Sequence, residues 1–206
     1  ERSRGLGDVY KRQHLILVIV SSLAAFTAGF LLGIFVTRPS GRQFLEIVND
    51  ISALGQTFPP VAVLALAVPS LGFGFKPTVI ALFLYSILPI IRNTISGLEA
   101  TPKETIEAAL GMGFTRFQTL LNIEIPLALP VILSGLRISV VINIGTATIG
   151  AVVGAGGLGT PIISGLVRNN PSFILEGATA AALLAIITDQ ILSLTEKSLF
   201  RVYTKE

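Results

Sequence analysis

The sequence predicts an all-α fold, a helical protein that crosses a membrane about five times. Of its 206 residues, 51% are hydrophobic and 13% are charged, whereas a soluble domain carries about 25% charged residues. A helix needs about 20 apolar residues to cross a bilayer core. Stretches with no Asp, Glu, Lys or Arg cover residues 13–37, 51–75, 77–91 and 138–167. A soluble helical core would show polar faces at helical spacing, and these stretches have none.

The spans are placed by these stretches and by the prolines and polar residues that interrupt them. A separate helix is expected over residues 44–56, before Pro59-Pro60, a pair that breaks or kinks a helix. Pro69 lies inside the second span and Pro89 kinks the third. The spans are predicted at residues 15–36, about 60–71, about 78–94, about 126–153 and about 173–194.

The first thirteen residues, "ERSRGLGDVYKRQ", differ sharply from the apolar stretch that begins after them. They begin without Met and are densely charged, so residues 1–13 are expected to be a non-native or disordered segment. Residues 14–206 then form one transmembrane domain. His14 is expected at the membrane interface, where the first span opens.

A polar insert at about residues 98–124 interrupts the apolar chain. Thr101 suits a helix cap and Pro102 suits the first helical position. Gly111 and Gly113 each cost about 1 kcal/mol inside a helix, which disfavours one long straight helix. Thr115 followed by Gln118 could cap a second helix. The pattern predicts helix, bend and helix, lying across one end of the bundle.

The basic residues indicate the orientation of the chain. Basic loops face the cytoplasm in most membrane proteins. With five spans, one side collects the larger group, Arg38, Arg42, Lys103, Arg116 and the basic C-terminal tail. The other side has only Lys76 and Arg168 when residues 1–13, which carry four basic residues against this rule, are left out. The insert and the C-terminus are therefore predicted to be cytoplasmic.

The residues by themselves leave two interpretations of the insert open. It could be an amphipathic interfacial helix that merely connects two spans. It could also be a docking element for a soluble cytoplasmic partner, because its small Ala and Gly residues would allow close approach.

One motif in the insert carries a resemblance to a known family. Glu107-Ala108-Ala109, Gly113 and the run Ile123 to Pro126 resemble the EAA signature of ABC-importer permeases. The family usually has Leu at the position of Ile125. The sequence around the motif, including "FLYSILPIIRNTISGLEATP", is similar to the osmoprotectant branch, which transports glycine betaine, carnitine or choline.

The resemblance implies a MetI-like ABC permease fold and a transport subunit in the bacterial plasma (inner) membrane, not an enzyme. It implies an ABC ATPase subunit that binds ATP and Mg²⁺, so that this chain needs no cofactor of its own. It also implies a second permease copy or a related permease, an extracytoplasmic substrate-binding protein and surrounding lipid, and no nucleic acid. The ATPase-coupling residues would be Glu107, Ala108, Ala109, Gly113 and Phe117.

Polar residues inside the spans are candidates for the translocation path, because polar groups at membrane depth face the bundle interior or a wet path. The candidates are Ser70, Asn143, Thr146 and Thr148. Helix packing is the alternative role for each of them. An Arg137–Asp189 pair is a further option. No metal site is expected, since the chain has one His and no Cys.

Gly154, Gly156 and Gly159 spell the outline of a dinucleotide fingerprint. They close a long uncharged stretch with no βαβ pattern around it, so a compact turn is the preferred interpretation.

Two other classes of function compete with the importer permease. An ion-coupled secondary transporter would be expected to show internal repeats and intramembrane carboxylates, and Asp189 is the single candidate carboxylate here. A membrane-embedded enzyme is disfavoured, because the spans contain no cluster of carboxylates, His or Cys.

Overall fold

The computed structural model describes the backbone of residues 2–55 and 57–203, and the described part is helical with no strand. The α-helices are α1 Arg2–Thr37, α2 Leu45–Gly55, α3 Pro60–Leu71, α4 Phe75–Glu99, α5 Lys103–Gly111, α6 Arg116–Thr119, α7 Ile125–Ala147, α8 Gly159–Val167 and α9 Pro171–Tyr203. A 3₁₀ turn covers Arg42–Phe44, a π turn covers Leu120–Glu124, and a second 3₁₀ turn covers Thr148–Val153. The all-α membrane fold is confirmed.

Four helical segments of the described chain are long and apolar enough to cross a membrane. They are Gly7–Thr37, Phe75–Glu99, Arg116–Val153 and Pro171–Ser198. These segments contain the predicted first, third, fourth and fifth spans.

The second span differs from its prediction. α3 has 12 residues, a length of about 18 Å at 1.5 Å per residue, and a bilayer core is about 30 Å thick. The helix α2, which the sequence predicts as a separate element, provides the length of helix that α3 lacks for a full span. Leu45 and Val48 pack near Ile91 at one end of the bundle, and Leu64 packs near Val153 at the other. α2 and α3 thus lie along opposite halves of α4, and their combined length is sufficient for a fifth span that is interrupted between them.

The two ends of the helical bundle are formed by different segments of the chain. The insert end is the end at which α1 and α4 finish, and it contains residues 37–45 and 99–124. The turn end is the opposite end, which contains the glycine-rich residues 154–158.

The N-terminal segment is continuous with the first span. α1 begins at Arg2 and passes residue 13 without a break. The backbone N–H of Gly157 donates to the Gln13 side-chain oxygen at 3.2 Å. The expected boundary at residue 13 is therefore not a break in the helix, and the non-native origin of residues 1–13 stays a prediction.

Helices α1, α4 and α7 form the centre of the bundle. Leu17, Leu82 and Ile144 join the three helices near the turn end. Leu98 and Ile132 join α4 and α7 near the insert end, where Phe26 and Phe30 of α1 cover them. α9 lies outside this centre, against α7 and α8, and most of its surface is exposed in the single chain.

The turn end contains the helix α8, where the sequence predicts only a turn and a loop. Gly154, Gly156 and Gly157 all have positive φ, and they reverse the chain before α8 begins. A Cβ at Gly159 would overlap the carbonyl oxygen of Thr148. The glycines thus allow backbone segments to approach closely, as the compact-turn interpretation predicts.

His14 is fully buried within the protein against this turn, and its expected depth at the membrane interface stays a prediction. Its Nε2 lies 3.0 Å from the carbonyl oxygen of Ile144, and its Nδ1 accepts from the Leu158 backbone N–H at 3.3 Å. A neutral ring protonated at Nε2 satisfies both contacts. His14 therefore joins α1 to α7 and to the start of α8.

Candidate coupling site

The first helix of the insert, α5, begins one residue later than predicted. Pro102 occupies the cap position and Lys103 is the first helical residue. Thr101 does not cap the helix, because its hydroxyl is buried and has no hydrogen-bond partner within the described chain. Proline suits this position, since the first backbone N–H groups of a helix have no intrahelical partner.

The bend after α5 has the geometry of a Schellman motif. Gly113 adopts φ +92°. Its N–H donates to the carbonyl of Leu110 at 3.0 Å, and the Phe114 N–H donates to the carbonyl of Ala109 at 3.1 Å. This pair of bonds satisfies the last carbonyls of a helix and favours glycine at the left-handed position. The predicted bend is thus at Gly113, while Gly111 remains inside α5.

The second helix of the insert starts at the predicted cap. The Thr115 hydroxyl accepts from the Gln118 backbone N–H at 3.2 Å, and the Gln118 side chain accepts from the Thr115 backbone N–H at 2.8 Å. These reciprocal bonds form a capping box. α6 then passes through the π turn directly into α7, so the insert does not end in a separate helix at Glu124 as predicted.

The five predicted coupling residues lie together on the two short helices and the bend, at different exposures. Glu107, Ala108 and Gly113 are exposed, and Phe117 is 67% exposed. Ala109 is fully buried, so its small side chain lets α5 pack against its neighbours.

Sequence reasoning missed Met112, which caps the end of α5 and is 71% exposed. Together, Met112 and Phe117 leave a hydrophobic surface on both sides of the bend. Met on a binding surface adapts its shape to a partner. An amphipathic pattern alone could not separate Met112 from residues that face the bundle.

A cleft of about 830 Å³ separates the insert from the ends of α1 and α4. Ile106, Leu110 and Phe117 line it from the insert, and Leu98 lines it from α4. Lys103 and Arg116 are exposed at this cleft.

The strongest polar contact at the insert end is an ion pair that sequence reasoning missed. Arg38 donates to both carboxylate oxygens of Glu124, at 2.9 and 2.6 Å. The Glu124 side chain is 6% exposed and that of Arg38 is 27% exposed. The sequence indicates Arg38 only as a basic loop residue, because no spacing rule connects positions 38 and 124.

The path candidates differ in their burial and in their hydrogen-bond partners. Asn143 is fully buried, and its amide nitrogen donates to the hydroxyl oxygens of Ser21 and Ser22 at 3.0 Å each. This contact joins α7 to α1, which favours packing for Asn143. Thr148 donates to the carbonyl of Gly145 within its own turn at 2.7 Å, and Ser70 is exposed near the end of α3. Thr146 is partly exposed on α7.

The optional pair between α7 and α9 is present. Arg137 donates to both carboxylate oxygens of Asp189, at 2.6 and 2.9 Å. Glu196 lies 3.5 Å from the same guanidinium group. Asp189 is therefore held by an Arg and does not stand alone as an ion-coupling carboxylate.

Comparison with solved structures supports the fold. The chain superposes on the permease chain of a structure described as an inward-facing conformation of the MetNI methionine ABC transporter, with a TM-score of 0.83 at 22% identity. The match covers 97% of this chain and 98% of the other. The MetI-like permease fold is confirmed.

Comparison with known sequences shows close relatives. The osmoprotectant import permease protein OsmY of Salmonella typhimurium is 45% identical over 182 residues, which are 88% of this chain and 77% of the relative. The glycine betaine/carnitine/choline transport system permease protein OpuCB of Bacillus subtilis is 37% identical over 187 residues, 90% of this chain and 84% of the relative.

A family model described as the inner membrane component of binding-protein-dependent transport systems matches residues 25–199. These findings support the importer permease over an ion-coupled secondary transporter. The chain therefore belongs to the family of inner-membrane components of binding-protein-dependent transport systems.

Proposed function

We propose that this chain is the permease subunit of an ATP-driven importer for quaternary-ammonium osmoprotectants such as glycine betaine, carnitine or choline. The family membership supports the transport role. The names of its relatives, one for osmoprotectants and one for glycine betaine, carnitine and choline, support the substrate class. The chain itself carries no catalytic role in this proposal, and a partner ATPase binds ATP and Mg²⁺.

The observation that carries the proposal is the bend between α5 and α6. A capping box and a Schellman motif fix its backbone, and Met112 and Phe117 are exposed on either side of it. An interfacial connector would bury these side chains in its own bundle or spread them along one lipid-facing stripe. A rigid bend with an exposed apolar surface is instead suited to a groove on a soluble partner.

In this proposal the ATPase contacts Glu107, Ala108, Gly113 and Phe117, with Ala109 holding α5 against its neighbours. The insert end and the C-terminus then face the cytoplasm, as the basic residues predict. A second permease copy or a related permease completes the pore, and an extracytoplasmic binding protein delivers substrate at the turn end. Movement of the ATPases would shift the insert and rock the spans between two orientations.

The path lining is proposed for Ser70, Thr146 and Thr148. These side chains are at least partly exposed in the single chain, so they are accessible to a path formed by two permeases. Asn143 stays a weaker candidate, because its amide is committed to the α1–α7 contact.

Docking is tested by co-purifying the chain with its partner ATPase, comparing Phe117→Ala with Phe73→Ala. Phe73 is 78% exposed at the turn end, so both substitutions remove an exposed aromatic ring with little effect on folding. We expect Phe117→Ala to reduce ATPase recovery about tenfold or more, as for a central interface aromatic, and Phe73→Ala to leave it unchanged. Glu107→Ala should give a smaller loss.

Equal recovery with Phe117→Ala, Glu107→Ala and the native chain would contradict the docking role. The substrate class is tested separately, by ATP-dependent uptake of radiolabelled betaine, carnitine and choline into proteoliposomes. Uptake of none of the three would remove the substrate proposal and leave the docking result standing. Uptake that depends on a sodium or proton gradient without ATP would overturn the importer mechanism.

A further inference from the structure

The Arg38–Glu124 ion pair joins the turn after α1 to the π turn before α7, two segments that are 86 residues apart in the sequence. Glu124 is the last residue of the π turn between α6 and α7. Arg38 comes directly after the last residue of α1. The two donor–acceptor distances, 2.9 and 2.6 Å, describe a bidentate contact, the arrangement that gives an Arg–carboxylate pair directional specificity.

The turn that carries Arg38 is itself well defined. The Arg38 N–H donates to the carbonyl of Phe35 at 3.1 Å, and the Gly41 N–H donates to the carbonyl of Arg38 at 3.0 Å. A Cβ at Gly41 would overlap the Phe35 carbonyl oxygen. The turn therefore packs directly onto the end of α1, where Val36 is fully buried. The backbone of Arg38 is thus held directly at the end of α1.

The other partner sits on an irregular part of the helix. In the π turn the Ile125 N–H donates to the carbonyl of Leu120, which is one residue wider than an α-helical bond. π turns inside α-helices are rare and often occur at functional sites. Here the wide turn includes Glu124, whose carboxylate reaches the turn after α1.

A gain in folding stability is a weak explanation for the presence of the Arg38–Glu124 pair. Replacing a buried ion pair with apolar residues of similar size is often neutral or stabilising, because the charges lose their hydration. A buried pair does select one arrangement of the groups that it joins. At this position the selected arrangement is that of the insert relative to α1.

We propose that Arg38 and Glu124 are positioning residues that transmit movement of the insert to the first span. Movement of α5 and α6 reaches α7 through the backbone, and it reaches α1 through this ion pair. The inference rests on the proposed docking of the ATPase at the bend. Neither residue contacts substrate or ATP in this proposal.

The test uses the complete transporter, reconstituted with its ATPase and binding protein, and measures substrate molecules imported per ATP hydrolysed. Arg38→Gln and Glu124→Gln should each lower this ratio about fivefold or more, the lower bound of typical coupling between sites. The exchanged pair, Arg38→Glu with Glu124→Arg, should recover most of it. Arg38→Lys keeps the charge and loses the bidentate geometry, so its ratio should be intermediate.

The matched control is the second ion pair at the insert end. Arg42 and Glu99 lie 3.0 Å apart, with side chains 59% and 39% exposed. Arg42→Gln and Glu99→Gln remove the same charges from the same end of the bundle. They should leave the transport ratio unchanged.

Folding and coupling are separated by the double variant Arg38→Met with Glu124→Met. It leaves no unpaired buried charge, so it should fold and retain the ATPase, yet its transport ratio should stay low. A native ratio in this variant, or an equal loss in the Arg42 and Glu99 controls, would overturn the inference. Failure of the native chain to bind the ATPase would instead contradict the proposed docking.

Discussion

The two ends of the bundle use glycine for different physical reasons. At the insert end, Gly113 has φ +92° and a Cβ there would meet no atom within 4 Å. At the turn end, a Cβ at Gly157 would lie 3.0 Å from the His14 ring, and one at Gly159 would overlap the Thr148 carbonyl. Gly113 supplies a backbone conformation in open space, and Gly159 supplies room for another backbone segment.

This contrast supports the proposal that the insert end is the one that moves against a partner. The turn end is packed onto itself, with His14, Gly157 and Leu158 in direct contact. The insert end has a hydrogen-bonded bend at which a Cβ on Gly113 would meet nothing within 4 Å. Close packing favours a fixed structure, whereas an exposed rigid bend leaves its contact surface free for a partner.

The largest expected effect is at the turn end. Gly159→Ala should lower the free energy of unfolding by about 3 kcal/mol, the upper part of the usual cost of overpacking, because the added methyl meets a backbone carbonyl. Thermal unfolding in detergent measures it. Gly145→Ala is the control, since a Cβ at Gly145 meets nothing within 4 Å. Equal stability of the two variants would erase the proposed contrast between the ends.

A smaller effect is expected at the insert end. Gly113→Ala should destabilise the bend by about 1–2 kcal/mol, because an L-residue is disfavoured at positive φ. Gly111→Ala, two residues away inside α5, should be neutral or stabilising by up to about 1 kcal/mol.

ATP-driven uptake and thermal unfolding distinguish the two sites. We expect Gly113→Ala to lower the rate of uptake by a larger fraction than Gly111→Ala does, with only a small change in its unfolding temperature, because the bend is a local structure. Gly111→Ala should retain both. If the Gly111 variant lost uptake and the Gly113 variant did not, transport would not depend on the backbone conformation at Gly113.

The smallest expected effect is in the centre of the bundle near the turn end, at Asn143. Asn143→Ala removes two hydrogen bonds, each worth about 0.6 kcal/mol between membrane helices, so the loss of stability should be about 1 kcal/mol. The KM for substrate should not change if the residue only packs α7 against α1. Thr146→Ala is the comparison on the same helix. Because Thr146 is a proposed path residue, a rise in KM with Asn143→Ala as large as that with Thr146→Ala would return Asn143 to the path.

The insert is the most predictable region, because its structure depends on near neighbours. Thr115 and Gln118 are three residues apart, as a capping box requires, and the positive φ of Gly113 needs only the residues just before it. The predicted start of α5 is wrong by one residue, since Thr101 and Pro102 both suit a helix start. Four of the five spans can be predicted from uncharged stretches for the same local reason.

The remaining features depend on contacts between distant residues. The placement of α2 and α3 along opposite halves of α4 is visible only when the helices are packed together. The Arg38–Glu124 pair joins residues 86 positions apart, and no local pattern specifies such partners. The Arg137–Asp189 pair, 52 positions apart, is named from the sequence only as an option, and the packing of α9 against α7 forms it. The burial of His14 likewise depends on distant residues, since its ring contacts Ile144 and Leu158, 130 and 144 positions away.

An all-α membrane protein, the bend in its polar insert and the family to which its EAA motif belongs can all be predicted from the linear chain. Hydrophobic length, helix caps and glycine conformation are properties of short segments, so they need no knowledge of distant contacts. Three features required the folded molecule: α2 and α3 lie along opposite halves of α4, His14 fills the glycine-rich turn, and Arg38 holds Glu124. Those outcomes depend on how helices pack, because burial and ion pairing are properties of neighbours in space.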